Sequence, residues 1–324
     1  MRSALGGLSV LLAVTAAGSA WADNYPARPL NWIVPLAAGG PADTLARTVA
    51  DKLAGQLKAT IVIENVAGAG GTIGATKAAS NPADGYHFVV GHMGFMGAGP
   101  ALYKSLRYDP VKDFTAVVRF PDTPAVLLVG KDSKYQTLAD LVQAARNSAT
   151  GLTFGTAGVG SVSHLVAELF ASELGVKIQS VPYRGNAPAL ADLMAGRLDA
   201  VFDQSNTAGA AVAGGRVRAL GVGTKGPMAQ FPGVPPISSA IPGFEATTWY
   251  GLYAPAGTPD AAVRKINQAY LKMVADPVLQ AQLSERGLHL LKSDEYGAQA
   301  FQALTRAEVD RWAKVVKAAG IPPQ

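Results

Sequence analysis

The chain has 324 residues, no cysteine, and 28 basic against 23 acidic residues, which gives a formal net charge of +5. The lack of cysteine excludes disulfides, a thiol nucleophile and thiolate-bound metal. The basic residues form no run and do not alternate with aromatic residues, so the composition gives little support to nucleic-acid binding, although a mild positive surplus attracts anions.

The first 22 residues have the pattern of a secretory signal peptide. Arg2 precedes an apolar run from Leu5 to Ala17, and the small residues Ala20 and Ala22 flank Trp21. The run is shorter than the roughly 20 residues of a membrane-spanning helix, so a permanent anchor is the weaker interpretation. We therefore expect export with cleavage after Ala22. No later stretch is apolar enough to predict a membrane span.

The remaining length exceeds what one hydrophobic core usually holds, which predicts two domains. In the first half, short β-rich runs alternate with helical patterns. Strands are predicted at Leu30–Leu36, Thr60–Glu64 and Tyr86–Val90. A helix is predicted from the i+4 spacing of Leu45, Val49, Leu53 and Leu57, and a second helix over Gly71–Ser80.

The second half repeats this alternation of strands and helices. Strands are predicted at Ala125–Val129, Leu152–Gly155, Ile178–Pro182, Leu198–Asp203 and Val217–Val222. Helices are predicted at Thr137–Arg146, Ser161–Leu174 and Ala187–Ala195. The alternation predicts an α/β fold with parallel sheets and right-handed crossovers.

Residues 226–242 are proline-rich and lose periodicity, which is typical of a linker. One apolar strand follows at Trp249–Ala254, and helices are predicted from Asp260 to Ala319. Because one strand cannot form a sheet alone, we expect this tail to return to the first domain. We predict that residues 23–122 and 243–324 form the first domain and residues 123–242 the second. The chain would then cross between the domains twice, near 120–124 and near 226–242, and leave a cleft between the two lobes.

The segment Pro35–Ala42 follows the first predicted strand and begins a helix. Gly39 and Gly40 let the backbone approach a ligand, and Pro41 suits the first helical turn. Free N–H groups at a helix start favour an anion such as a carboxylate. Asp43 has two interpretations: it caps its helix, or it faces the ligand through a water or a proton.

The segment Thr153–His164 is the matching element of the second domain. A strand again runs into glycines, and Thr156, Ser161 and Ser163 add hydroxyl groups. His164 is either a ligand donor or a structural histidine. Two such helix starts could hold both ends of a dicarboxylate, or one could hold a monocarboxylate while the other makes polar contacts.

The segment His92–Met96 follows the third predicted strand and should reach the mouth of the cleft. Met93, Phe95 and Met96 either pack in the core or line the cleft. In the second case they would favour a ligand with a flat or apolar body, which includes aromatic acids.

Two enzyme classes have weak support. The glycine-rich segment 66–74 misses the dinucleotide fingerprint because Ile73 stands where its third glycine belongs. Ser161 suggests a secreted serine hydrolase, but the G-x-S-x-G motif is absent and only four histidines could supply a base. With no H-E-x-x-H motif, we expect neither a metal nor a cofactor.

Six stretches along nearly the whole mature sequence resemble the Bug-type solute-binding receptors of tripartite tricarboxylate transporters. They are Ile33–Asp43, Glu64–Asn65 followed by Gly68–Gly71, Pro82–Tyr86, Tyr108–Phe114, Val181–Gly185 and Trp249–Pro259. The resemblance implies a periplasmic, two-lobed, type II (Venus flytrap) binding protein. It would be a monomer without enzymatic activity that closes on a small organic acid and delivers it to a membrane permease. A ligand-dependent sensor component is the remaining alternative.

The resemblance also implies which residues lie near the ligand. Two loops would hold a carboxylate through backbone groups and waters, at Leu36, Ala38, Gly39, Gly40, Pro41 and Ala42 and at Thr156, Gly158, Gly160, Ser161 and His164. Asp43 would orient a water, and Tyr183 and Asp203 would lie near the same cleft. His92 and Phe95, which follow the third predicted strand, are two further candidates. The sequence departs from the family at Gly99–Pro100, where Asn-Pro is common. The segments 92–96 and 202–206 follow no pattern shared with the family. The sequence therefore leaves the identity of the bound acid open.

Overall fold

The computed structural model describes residues 25–318 and 323, so the predicted signal peptide lies outside the described residues. The described chain forms two mixed β-sheets, each covered by helices. The first sheet has the order β2-β1-β3-β11-β4, and the second has β10-β5-β8-β6-β7 with β9 beside β5. Each sheet and its helices form one lobe.

The first lobe contains both ends of the described chain. Its strands are β1 Leu30–Val34, β2 Ile61–Asn65, β3 His87–His92, β4 Phe114–Arg119 and β11 Tyr250–Pro255. Its helices are α1 Pro41–Leu57, α2 Thr72–Ala79, α3 Gly99–Leu102, α8 Asp260–Val274, α9 Pro277–Glu285 and α10 Ala298–Ala318, with a π-helix at Met93–Ala98 and 3₁₀ turns at Ala69–Gly71 and Ser293–Tyr296.

The second lobe is one continuous segment. Its strands are β5 Thr123–Gly130, β6 Leu152–Thr156, β7 Ile178–Pro182, β8 Ala200–Gln204, β9 Val217–Val222 and β10 Thr247–Thr248. Its helices are α4 Leu138–Asn147, α5 Val162–Leu174, α6 Asn186–Met194 and α7 Ser205–Ala213, with a 3₁₀ turn at Ile237–Ser239. Sequence patterns predicted neither α7 nor β4.

The α/β class is confirmed, but the prediction of parallel sheets is wrong for part of each sheet. Strands β1, β2 and β3 run parallel, as do β6, β7 and β8. Strand β11 is antiparallel to β3 and β4, and β5 is antiparallel to β8 and β9. The reason is that a parallel neighbour needs a crossover connection, whereas β5 and β11 each enter their sheet directly from the other lobe.

The chain passes between the sheets twice. The first passage lies between Arg119 and Thr123. The second lies between Thr248 and Tyr250, after the proline-rich segment rather than within it. Backbone bonds hold the chain just after that segment to the second lobe, because the Ala125 N–H donates to the Ala246 carbonyl at 2.9 Å.

The hydrophobic core fills both lobes and is continuous between them. Strand β5 is buried at every position, and a near-continuous apolar run is typical of a strand covered on both faces. Leu45, Val49 and Leu53 of α1 are buried, as their spacing predicts. One apolar cluster joins Phe95 of the first lobe to Phe154 of the second. Within residues 25–318, no helix combines the length and apolarity needed to cross a membrane.

Candidate functional site

A small cavity of about 40 Å3 lies between the lobes, where several strands end and helices begin. We call it the inner cavity. Among the described residues that line the inner cavity, none is a Lys, Arg, Asp or Glu. Its lining residues are Leu36, Ala37, Gly40, Pro41, Ala42, His92, Ala157, Ser161, Val162, Ser163, Gly185, Asn186, Gln204 and Tyr250.

A larger space of about 590 Å3, the outer cleft, adjoins the inner cavity. Leu36, Ala37, Ala157 and Gly185 line both spaces, so the two are contiguous. The other residues around the outer cleft are Ala67, Gly68, Ala69, Gly70, Gly71, Tyr103, Gly158, Val159, Tyr183 and Arg184.

The two lobes are in direct contact around these spaces. The Asn206 side-chain amide donates to the Pro41 carbonyl at 2.9 Å. The Tyr250 hydroxyl donates to Gln204 Oε1 at 3.1 Å, and the Tyr103 hydroxyl lies 2.9 Å from the Val159 carbonyl oxygen. Each contact joins a group of the first lobe to one of the second. The structure therefore has the lobes closed on each other.

The loop before α1 presents backbone donors to the inner cavity. Gly40 is extended at the N-cap with φ −78° and ψ 174°, and Pro41 occupies the first helical position. The first intrahelical bond is donated by Thr44 to the Gly40 carbonyl. The N–H groups of Ala42 and Asp43 have no acceptor among the described residues, as expected for the first turn of a helix.

Asp43 holds this loop in place and does not line the inner cavity. It is 3% exposed, and it accepts hydrogen bonds from the Gly39 N–H at 2.9 Å, from Arg47 Nε at 3.0 Å and from the Asn65 amide at 3.0 Å. Burial alone would raise the Asp43 pKa, but these hydrogen bonds outweigh it and hold the pKa below its usual value. The carboxylate is thus ionised and paired, so it repels a ligand carboxylate little.

The loop before α5 is held by its own side chains. The Ser161 hydroxyl accepts from the His164 N–H at 3.3 Å, and the Ser163 hydroxyl accepts from the Ala157 N–H at 2.9 Å. Ser161 and Ser163 Oγ atoms lie 3.2 Å apart. The N–H groups of Val162 and Ser163 have no acceptor among the described residues. This second helix start therefore also presents free donors to the inner cavity.

His164 supports this loop and lines neither the inner cavity nor the outer cleft. Its Nδ1 accepts from the Gly160 N–H at 3.3 Å, and its Nε2 lies 3.7 Å from Glu168. Burial lowers the His164 pKa. Neither imidazole nitrogen is hydrogen-bonded to Ser161 Oγ, so the pair lacks the contact that activates a serine nucleophile. The geometry gives no support to the serine hydrolase hypothesis.

His92 differs from His164, because it lines the inner cavity and one of its ring nitrogens is buried without a hydrogen-bond partner among the described residues. The side chain is 1% exposed, and burial lowers its pKa to about 3, so the ring is neutral. Its Nδ1 accepts from the Gly94 N–H at 2.7 Å, which places the remaining proton on Nε2. Nε2 has no hydrogen-bond partner among the described residues. A buried donor without an acceptor is costly, and a ligand acceptor would remove that cost.

A buried network from the second lobe fixes the other polar groups of the inner cavity. Asp203 is fully buried, and its Oδ1 accepts from the Asn186 amide, the Gln204 N–H and the Thr207 hydroxyl. Burial raises the Asp203 pKa to about 6, against the effect of these hydrogen bonds. Asp203 therefore positions Asn186 and Gln204, which line the cavity, and does not line it itself.

Four helices begin beside the inner cavity. Helix α1 begins at Pro41, α5 at Val162, α6 at Asn186 and α7 immediately after Gln204. Each helix start carries roughly half a positive unit charge on its free N–H groups. With no acidic side chain on the wall, the field favours an anion, and the neutral donors give it directional hydrogen bonds.

The residues predicted for the site fall into three groups. Leu36, Gly40, Pro41, Ala42, His92 and Ser161 line the inner cavity. Gly158 and Tyr183 line the outer cleft, as Leu36 also does. The remaining ones line neither space: Ala38, Gly39, Asp43, Phe95, Thr156, Gly160, His164 and Asp203.

The prediction that Phe95 lines the cleft is wrong. Phe95 is 1% exposed, and its ring packs edge-on against His92 at 4.6 Å and against Gly71. Met93 and Met96 are buried in the same core cluster. All three residues belong to the π-helical segment after β3, and their side chains pack into the core. The reason for expecting aromatic acids as ligands therefore no longer holds.

The sequence interpretation missed Asn186, Gln204 and Tyr250. Asn186 and Gln204 stand at helix starts that follow strands, and the rule used for the first two loops applies equally to them. Tyr250 lies in β11, where the return to the first lobe turns its hydroxyl toward Gln204. No group of three or more metal-ligating side chains is gathered within residues 25–318.

Comparisons with known proteins agree with this architecture. Residues 45–321 match the model of the tripartite tricarboxylate transporter family receptor. The periplasmic binding protein BugD superposes with a TM-score of 0.86 at 34% identity, over 93% of this chain and 100% of its own. MatC from Rhodopseudomonas palustris, solved with bound malate, gives 0.84 at 35% identity over 90% and 100% of the two chains.

A second R. palustris protein, solved with adipate, gives a TM-score of 0.87 at 35% identity, over 93% of this chain and 100% of its own. The family match covers more than half of the chain, and the structural likeness runs through both lobes. The chain therefore belongs to the tripartite tricarboxylate transporter receptors, of the Bug type.

Proposed function

We propose that this chain is an exported, periplasmic receptor that captures a small organic acid between its lobes and presents it to the membrane permease of a tripartite tricarboxylate transporter. One ligand carboxylate would occupy the inner cavity, and the rest of the ligand would extend into the outer cleft. Family membership supports the receptor role, and the malate and adipate bound to two similar proteins support the carboxylate. We further propose that it acts as a monomer and without catalysis.

The observation that carries the proposal is that His92, with an unpartnered Nε2–H, lines a cavity flanked by helix starts. A neutral donor cannot balance a ligand charge alone, but the free N–H groups of α1 and α5 add positive potential from both lobes. An uncharged ligand would gain little from this potential. The site therefore favours a carboxylate over an amide of the same shape.

Closure would follow from ligand contacts with both lobes. A ligand shifts a conformational equilibrium only by its difference in affinity for the two states. In the closed form, the donors of Ala42 and His92 from one lobe and of Val162 and Ser163 from the other surround the same cavity. A carboxylate in the cavity is then bound more tightly by the closed form than by an open one.

The experiment compares wild type with His92→Phe, which keeps a ring of similar size but removes the donor. Calorimetric titrations with malate and adipate are expected to show binding by wild type, and the variant is expected to lose about 10- to 100-fold in affinity. Adipamide, the uncharged analogue of adipate, should bind neither protein measurably.

His87→Phe is the matched control, because His87 begins the same strand and lies against Asp84 away from the cavity. Its affinity should equal that of wild type. Binding of adipamide as tight as that of adipate, or an unchanged affinity in His92→Phe, would contradict the proposal.

A further inference from the structure

Arg184 is the one charged side chain among the described residues that line the inner cavity or the outer cleft. It is exposed at the wall of the outer cleft, and no acidic side chain or hydrogen-bond acceptor among the described residues pairs with it. The adjacent Tyr183 does have a side-chain partner, because its hydroxyl donates to Asp192 at 2.7 Å. Asp192 also pairs with Arg197, at 2.8 Å. Arg184 is therefore an unpaired arginine in the wall of the outer cleft.

The backbone that carries Arg184 is fixed at the cleft from both sides. The Tyr183 N–H donates to the Thr156 carbonyl at 2.9 Å, which ties this loop to the end of β6. Gly185 has a φ of +121°, and a Cβ there would lie 3.0 Å from Ala37 Cβ of the first lobe. The loop thus reaches the opposite lobe at Gly185, one residue after Arg184.

The route from the inner cavity to Arg184 is apolar. Leu36, Ala37 and Ala157 line the passage where the two spaces meet, and Ala67 and Ala69 line the outer cleft beyond it. Such walls accept methylene groups, and the other polar side chains of the outer cleft, Tyr103 and Tyr183, already donate their hydroxyls to carbonyl oxygens and to Asp192. The polar features are therefore arranged as two ends with an apolar middle.

We infer that Arg184 is a specificity-determining residue that binds the second anionic group of a ligand whose first carboxylate occupies the inner cavity. This inference rests on the proposed function of the inner cavity. The planar guanidinium can hold a carboxylate through two parallel hydrogen bonds. Arg184 would thus make the receptor prefer an aliphatic dicarboxylate over a monocarboxylate with the same number of carbon atoms.

The test uses three acid pairs of equal carbon number: succinate and butyrate, glutarate and pentanoate, adipate and hexanoate. Calorimetric titration of wild type is expected to show about tenfold tighter binding of the dicarboxylate in at least one pair. Arg184→Gln should reduce that difference to about twofold or less by weakening the dicarboxylate, with little change for the monocarboxylate. Added salt should narrow the difference in wild type, because the contact is exposed.

Arg146→Gln is the matched control, since Arg146 is an exposed arginine on α4 of the same lobe and lines neither space. It should keep the wild-type preference, and both variants should unfold at the wild-type temperature. An unchanged preference in Arg184→Gln, or an equal loss for both acids of a pair, would overturn the inference alone. Failure of wild type to bind any of the six acids would overturn the proposed function and this inference together.

Discussion

At the residue scale, the site depends on the protonation state of one buried histidine. The Gly94 N–H fixes the tautomer of His92, and burial keeps the ring neutral with a pKa of about 3. A Cβ at Gly94 would lie 2.4 Å from His92 Cε1 and 2.6 Å from the Gly160 carbonyl oxygen, so glycine is needed for this contact. The unpartnered Nε2–H of His92 is therefore set by a backbone group two residues away.

This arrangement predicts a dependence of stability on pH. The unfolded histidine titrates near its ordinary pKa of 6.5 and the folded one near 3, so the unfolded chain binds more protons in between. The free energy of unfolding must then fall on acidification, and His92 alone accounts for a loss of about 2 kcal/mol from pH 7.5 to pH 5. Denaturant unfolding should show that extra loss in wild type relative to His92→Phe. Equal losses in the two proteins would contradict a buried neutral His92.

At the element scale, the lobes meet through glycine-rich loops. Gly70, in the 3₁₀ turn after β2, has a φ of +61°, and a Cβ there would lie 2.5 Å from the Val159 carbonyl oxygen of the other lobe. Tyr103 packs in the same place, its hydroxyl 2.9 Å from both the Ala69 and the Val159 carbonyl oxygens. In the closed form the backbone at Gly70 thus lies directly against the backbone at Val159. A side chain larger than hydrogen at Gly70 would prevent this contact.

Gly70→Ala is therefore expected to weaken ligand binding about tenfold or more, because the closed form cannot form without displacing the opposite loop. Gly175→Ala is the matched control: Gly175 has a φ of +65°, and a Cβ there would meet no atom within 4 Å. Both variants should lose about 1 kcal/mol of stability from backbone strain. The same calorimetric affinity in both variants would argue against contact between the loops.

Sequence patterns predicted most strands and helices of each lobe, although not β4 or α7, and only part of the site. The first helix start was found because its glycines follow an apolar strand directly, and the same logic placed the start of a helix at Ser161. Tyr250 could not be placed in this way, since its contact with Gln204 forms only when two strands from different lobes meet. Phe95 was misplaced because the π-helical turn after β3 directs its ring into the core, and no periodicity in 93–98 indicates such a turn.

At the scale of the whole molecule, the two passages between the sheets place the four helix starts around one cavity. Strands β4 and β5 make the first passage, and β10 and β11 make the second. Because β5 and β11 enter their sheets in the antiparallel direction, the parallel strands β1, β3, β6 and β8 point their carboxyl ends toward the interface between the lobes. The topology itself thus assembles the anion site.

A crystal structure of this chain with bound adipate would test that claim most directly. One carboxylate should lie in the inner cavity, with an oxygen within about 3 Å of His92 Nε2 or of the free N–H groups at the starts of α1 and α5. Adipate bound instead in the separate cavity beside His289 and Lys225, with the inner cavity holding no part of the ligand, would contradict it.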